Sequence, residues 1–263
     1  MPDTPLPGKQ WPGRYARMII ILYVIFLHLV IAILLVKTDF TIRAGKTLGW
    51  LPPAERSVEF YHQMMTLAGQ GMPVRGDEIV ILGDSIMAAL PPHDIGPHIR
   101  NLAVGGMTTH TLQELLSLLP ALATARGAII GIGVNDLKYR SPEIIAHDFT
   151  ALLGRLPSTL PLILVAILPV DERNTAIRSR SYLRNQPIIT LNAHIEHACQ
   201  ARPLCRFLDN AQAMADSAGN LRNPYHIGDG WHLSSAGNQV LVENLRVVLA
   251  QWPESATAPR PVR

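Results

Sequence analysis

Apolar residues fall into three patterns along the chain. The first is an unbroken run over 18–36, MIIILYVIFLHLVIAILLV, which carries no formal charge and one histidine, His28. The second is helical spacing: Val58, Tyr61, Met64, Met65 and Ala68 follow Pro52 and Pro53, which predicts a helix that Gly69, Gly71 and Pro73 end. The third begins at Glu78, where short apolar runs alternate with longer amphipathic ones. The runs 79–82, 102–104, 128–132, 162–168 and 207–208 predict strands, and 111–123, 142–156, 187–199 and 234–252 predict helices. Strand and helix in alternation imply an α/β protein with a mostly parallel sheet covered on both faces. Sites in such sheets form beyond the carboxyl ends of the strands.

The run 18–36 has nineteen residues, about 28 Å of helix at 1.5 Å per residue, close to the hydrocarbon thickness of a bilayer. A cleaved signal peptide has a shorter apolar region ending at a small-residue site. Here Lys37-Thr38-Asp39-Phe40 follows, so the segment reads as an uncleaved transmembrane anchor whose partner is the lipid bilayer. His28 is then a tolerated polar residue near mid-membrane.

Charge sharpens this division. The net charge is +3, yet residues up to Lys46 contain six basic side chains against Asp3 and Asp39, which leaves the remainder at −1. A nearly neutral body offers no footprint for a phosphate backbone, so a nucleic-acid partner is excluded. Lys9, Arg14 and Arg17 precede the anchor and predict a cytoplasmic N-terminus. The expected layout is a cytoplasmic arm (1–17), the anchor (18–36), a juxtamembrane linker and helix (37–74), a catalytic domain outside the membrane (75–253) and a disordered tail (254–263). Cys199 and Cys205 lean the same way, since a pair so spaced can close a small disulfide loop in an oxidising compartment; two buried free thiols are the alternative.

Four short blocks carry the candidate chemistry. Gly83-Asp84-Ser85 ends the first strand, placing a hydroxyl at a strand-to-helix turn where N–H groups and the helix dipole favour developing negative charge; a plain helix cap is the alternative. Asn101 to Gly106 ends the second strand in paired glycines that can turn an N–H into a site. Gly133-Val134-Asn135-Asp136 presents a side-chain amide at the same edge, and Asp229-Gly230-Trp231-His232 precedes the last helix. An Asp and a His three residues apart meet within one turn, and the carboxylate can then fix the imidazole tautomer.

Together, and in this order, the blocks resemble those of the SGNH hydrolases, also called GDSL-type esterases and lipases, over residues 78–252. That resemblance implies a flavodoxin-like three-layer α/β/α sandwich and a serine esterase that needs no cofactor and no metal. By motif position it implies Ser85 as nucleophile, His232 as general base and acid, and Asp229 as its orienting partner. The backbone N–H groups of Ser85 and Gly106 and the amide of Asn135 would form the oxyanion hole. Met107 stands where many members carry Asp, and Ile86-Met87 follows the serine where Leu-Ser or Leu-Thr is frequent, so the pocket is expected to differ.

Asp84, Met107, Asp136, Arg173 and Trp231 flank these blocks and are candidates for contact with substrate. Arg173 opens a stretch with Arg178, Arg180 and Arg184 that suits an anionic or sugar group or else a solvated loop. His226 is a rival base, disfavoured because no Asp stands three residues before it. His194 and His197 read as a solvated helix face rather than metal ligands. The expected substrate is an acyl ester of a cell-envelope polysaccharide, hydrolysed or transferred, with other membrane proteins of such a system as partners. A lipid ester at the membrane surface and a non-catalytic assembly role are the alternatives.

Overall fold

In the computed structural model, residues 13–37, Thr66 and 74–252 are described. The linker expected over 38–50, the helix expected over 52–68 apart from Thr66, and the tail lie outside the described residues. The chain divides into two units, 1–54 and 55–263.

In the first unit, α1 spans Gly13–Lys37 and so begins ahead of the apolar run. Within it Tyr15–Ile33 has a mean hydropathy of 2.6, long and apolar enough to cross a membrane. Most of the large apolar side chains over 15–33 are exposed. The His28 ring nitrogen Nδ1 donates to the Val24 carbonyl at 2.7 Å, so its polar edge is satisfied within the helix.

The second unit is a five-stranded parallel sheet. Its strands are β1 (Ile79–Gly83), β2 (Ile99–Asn101), β3 (Gly127–Gly131), β4 (Leu162–Val165) and β5 (Cys205–Leu208). Their order in the sheet is β2-β1-β3-β4-β5, with every pairing parallel. The order reverses between β1 and β3, where such sheets place their sites. Short helices α2 (Ser85–Ala88) and α3 (Pro92–Ile95) follow β1. The longer ones are α4 (Thr109–Leu118), α5 (Pro142–Gly154) and, after the single turn α6 (Thr175–Arg178), α7 (Asn185–Gln200). A further turn, α8 (Ala211–Met214), precedes the last helix, α9 (Ser235–Ala250).

The central strands are apolar throughout because both faces are covered. Val80, Leu82, Ala128, Ile130, Leu162 and Leu164 point into one core, packed with Leu112 and Leu115 of α4, Phe149 of α5 and Leu191 of α7. Ile79, Ile81, Ile129 and Ile163 point into the other, against Leu241 and Leu245 of α9 and Trp252. Alternation therefore decides which layer a residue joins rather than whether it is buried.

Two expected elements shift. The second strand is Ile99–Asn101 rather than 102–104, because the apolar triplet leaves the regular ladder. Leu102 and Val104 still donate to Ile81 and Gly83 carbonyls of β1, at 2.8 and 2.9 Å, and both side chains are buried. The helix expected over 111–123 ends at Leu118, since Pro120 has no N–H to continue it and opens a separate 3₁₀ turn, Pro120–Thr124. Cys199, near the end of α7, is disulfide-bonded to Cys205 at the start of β5, with the Cα atoms 5.3 Å apart.

Candidate active site

β1 delivers Ser85 to the carboxyl edge of the sheet. Gly83 makes the exit feasible: its φ is +147°, and a Cβ there would lie 2.0 Å from the Gly131 carbonyl oxygen of β3. Asp84 then caps α2 by accepting the Ile86 N–H at 3.0 Å. This helix is only one turn long, so the dipole expected at Ser85 is small, and the local N–H groups of the turn are what the serine has beside it.

The Ser85 hydroxyl lies 3.0 Å from Nε2 of His232, 147 residues away in sequence. The other ring nitrogen, Nδ1, lies 2.6 Å from Asp229 Oδ2. Oδ1 of the same carboxylate accepts the backbone N–H groups of Trp231 and His232, both at 3.0 Å. Partial burial would raise the Asp229 acid, but the His232 ring, these two N–H bonds and the charge on the ring outweigh it and hold the carboxyl below its ordinary range. A hydroxyl, an imidazole and an ionised carboxylate bonded in series can move a proton from oxygen to nitrogen and stabilise the cation that results.

The other two blocks converge here. Gly105 lies beside the serine, since a Cβ built on it would be 3.9 Å from Ser85 Cβ. Gly106 has φ +79°, a left-handed turn that reorients its N–H. The Asn135 amide donates to the Met107 carbonyl at 3.0 Å, tying the loop after β3 to the glycine turn after β2. Beneath that tie, Asp136 is fully buried and accepts the Thr109 N–H at 3.0 Å and the Thr109 hydroxyl at 2.6 Å. Arg140 neutralises it at 2.6 Å and reaches Asp148 as well.

Of the five residues considered for substrate contact, the structure buries two and ion-pairs a third at the surface. Met107 is wholly buried in the core, and Asp136 is consumed by Thr109 and Arg140. Arg173 is exposed but pairs with Asp171 at 2.8 Å and Asp216 at 2.9 Å. Asp84 borders the pocket while its side chain is 3% exposed overall. Burial, reinforced by the Asp136 charge and opposed by the Ile86 and Met87 N–H groups, pushes its acid up to about 7. Trp231 is half-buried, walls the pocket, meets the His232 ring at a centroid distance of 4.5 Å and carries the Arg180 guanidinium at 5.7 Å from its ring centre. Arg184 serves the carbonyls of Ile177, Arg180 and Leu183. His194 and His197 are exposed on α7, and no metal-binding cluster occurs among the described residues.

The pocket beside Ser85 and His232 is apolar, walled by Ile132, Val134, Ile167 and Val170. Two asparagines of α7 hold its β4 side. Asn192 pairs with both the N–H and the carbonyl of Ile167 at 2.8 Å, and Asn185 does the same to Val170 at 2.8 and 3.0 Å. Each amide replaces a neighbouring strand for a backbone that has left the sheet. Sequence reasoning missed them, although two asparagines seven apart on one helix face were the available signal.

A family model described as "GDSL-like Lipase/Acylhydrolase family" matches residues 81–240. No curated protein matches the chain in sequence. Among solved structures, a GDSL-like lipase from Bacteroides thetaiotaomicron aligns with TM-score 0.60 and 17% identity, over 73% of this chain and 97% of that one. The C-terminal catalytic domain of Streptococcus pneumoniae peptidoglycan O-acetyltransferase A aligns with TM-score 0.52 and 18% identity, over 66% of this chain and 93% of that one. An acetylxylan esterase from Geobacillus stearothermophilus aligns with TM-score 0.52 and 14% identity, over 65% and 92%. At these identities the likeness is one of fold.

Proposed function

The chain belongs to the GDSL-like lipase/acylhydrolase family, and from that premise we propose a serine esterase or O-acyltransferase acting through an acyl-enzyme on acetyl esters of a cell-envelope polysaccharide. The observation that carries the chemistry is the series Ser85 Oγ, His232 and Asp229, bonded at 3.0 and 2.6 Å. As Oγ attacks the ester carbonyl, His232 Nε2 takes its proton and Asp229 stabilises the imidazolium. The N–H groups of Ser85 and Gly106 and the second N–H of the Asn135 amide receive the oxyanion. Collapse expels the alcohol, which takes the proton back from His232. Water or an acceptor hydroxyl then enters by the same steps and leaves Ser85 free.

The choice of substrate rests on setting. A helix suited to a bilayer precedes the catalytic domain (75–253), and we assign it as an anchor with the N-terminal arm in the cytoplasm. The Cys199–Cys205 disulfide supports a domain facing an oxidising, periplasm-like compartment. A peptidoglycan O-acetyltransferase domain and an acetylxylan esterase among the fold neighbours suit the reading of a tethered enzyme of the envelope. The apolar walls of the pocket favour one second reading, a lysophospholipid or other lipid ester drawn from the membrane surface.

Full-length protein in detergent, assayed on 4-nitrophenyl esters of increasing chain length, separates the two. Acetyl preferred over dodecanoyl by about tenfold or more in kcat/KM is the expected result; the reverse order overturns the glycan reading in favour of the lipid one. For topology, a reporter fused after Arg263 is expected to signal an extracytoplasmic location. A cytoplasmic signal defeats the outward-facing assignment and the periplasmic substrate with it.

A further inference from the structure

His226 stands six residues before His232, with a side chain only 1% exposed. Its Nδ1 accepts two backbone N–H groups, from Gly228 at 3.0 Å and from Gly230 at 3.2 Å. A ring nitrogen that accepts from two donors carries no proton, so the hydrogen-bond pattern assigns the neutral tautomer protonated on Nε2. Nε2 faces Asp171 Oδ2 at 3.8 Å. The other oxygen of Asp171 takes the N–H and Nε of Arg173, and Arg173 reaches on to Asp216. These are the charged groups that the neighbouring segments bring to this side of the ring.

The arrangement bears on Asp229, which lies between the two glycines. Gly228 and Gly230 have φ of +102° and +85°, so the chain turns left-handed on either side of Asp229 and sends both flanking N–H groups inward to the one imidazole nitrogen. The loop is closed on itself by pairing of His226 with Leu233 and by the Ile227 N–H on the His232 carbonyl at 3.0 Å. On its outer side Asn174 donates to the Gly228 carbonyl at 2.9 Å, and Asp171 donates its N–H to the Gly230 carbonyl at 2.8 Å. His226 is thus the internal acceptor around which the loop carrying Asp229 and His232 is wound.

We propose that His226 is a positioning residue: its Nδ1, by accepting the N–H groups on both sides of Asp229, holds the loop that presents Asp229 and His232 to Ser85. Without that acceptor the Gly228 and Gly230 N–H groups lose their common partner, the latter in a buried position. The proposal rests on the assignment of His232 as base.

The test uses full-length protein and 4-nitrophenyl acetate. His226→Ala removes the acceptor and is expected to lower kcat on the order of tenfold to a hundredfold, with a smaller change in KM. In His226→Asn the amide oxygen falls where Nδ1 was and does not titrate, so most of kcat returns. A His226→Ala enzyme with the wild-type kcat, or a His226→Asn enzyme no more active than His226→Ala, overturns the proposal. Where neither variant folds, nitrogen NMR of the wild type decides: an unprotonated Nδ1 coupled through hydrogen bonds to the Gly228 and Gly230 amides is expected, and a protonated Nδ1 overturns the proposal. Ser85→Ala in parallel keeps the two readings apart, because activity surviving that change defeats the underlying assignment and says nothing of the His226 contacts.

Discussion

Ser85→Ala is expected to lower kcat for ester cleavage by about 10⁴- to 10⁶-fold, the range seen when the nucleophile of a serine hydrolase is removed. The hydroxyl's described partner is His232 Nε2, and the capping bonds of α2 run through Asp84 and the backbone. The variant therefore loses the attacking atom and keeps the turn, so its melting transition should stay within about 1 kcal/mol of the parent. A purified variant with a wild-type unfolding curve and activity within tenfold of the parent would remove Ser85 from the nucleophile's role. It would also revive the reading in which the domain serves binding or assembly.

Asp229→Asn should cost about four decades in kcat at neutral pH while leaving KM nearly unchanged. The reason is local. The carboxylate Oδ1 accepts the Trp231 and His232 N–H groups, so an amide oxygen will occupy that place and turn its NH₂ toward His232 Nδ1. Nδ1 must then accept, the ring proton moves to Nε2, and Nε2 can no longer take the proton of Ser85. Steady-state kinetics beside the wild type measure this; a loss smaller than tenfold would sink the orienting role. The same carboxylate links activity to stability. Its folded-state acid titrates below the ordinary value, so its contribution is fully present above that ordinary value and is lost as pH falls through the folded one. The asparagine variant should therefore show a shallower loss of stability on acidification.

Much of the fold was legible in the sequence because parallel strands buried on both faces must be apolar without interruption. Residues 79–82 and 128–132 announced β1 and β3 for that reason. The second strand was misplaced by a few residues because it lies at the edge of the sheet, where Ile99, Arg100 and Asn101 are half-buried and the apolar signal falls on the segment that follows. The helix after it was drawn too long because apolar periodicity continues past Pro120, and only the missing N–H ends it. At the site, Asp229 and His232 were legible since three residues of spacing place them in one turn. Met107 and Asp136 were not: a position next to a motif does not say which way a side chain points, and both point inward.

By itself, then, the sequence determined what depends on neighbours along the chain: the apolar length of α1, the strand and helix alternation, the glycine turns and the Asp-to-His spacing. Tertiary structure alone decided which distant groups meet. Ser85 and His232 stand 3.0 Å apart across 147 residues, Asn135 reaches the glycine turn, and Asn185 and Asn192 complete a backbone that has left the sheet. It also separated two histidines that look alike in sequence. His232 meets Ser85 through one nitrogen and Asp229 through the other, while His226 is buried with one nitrogen taken by two backbone donors. Local spacing is set by the covalent chain, whereas a proton relay needs distances of about 3 Å that only the packing of separate elements against a common sheet can impose.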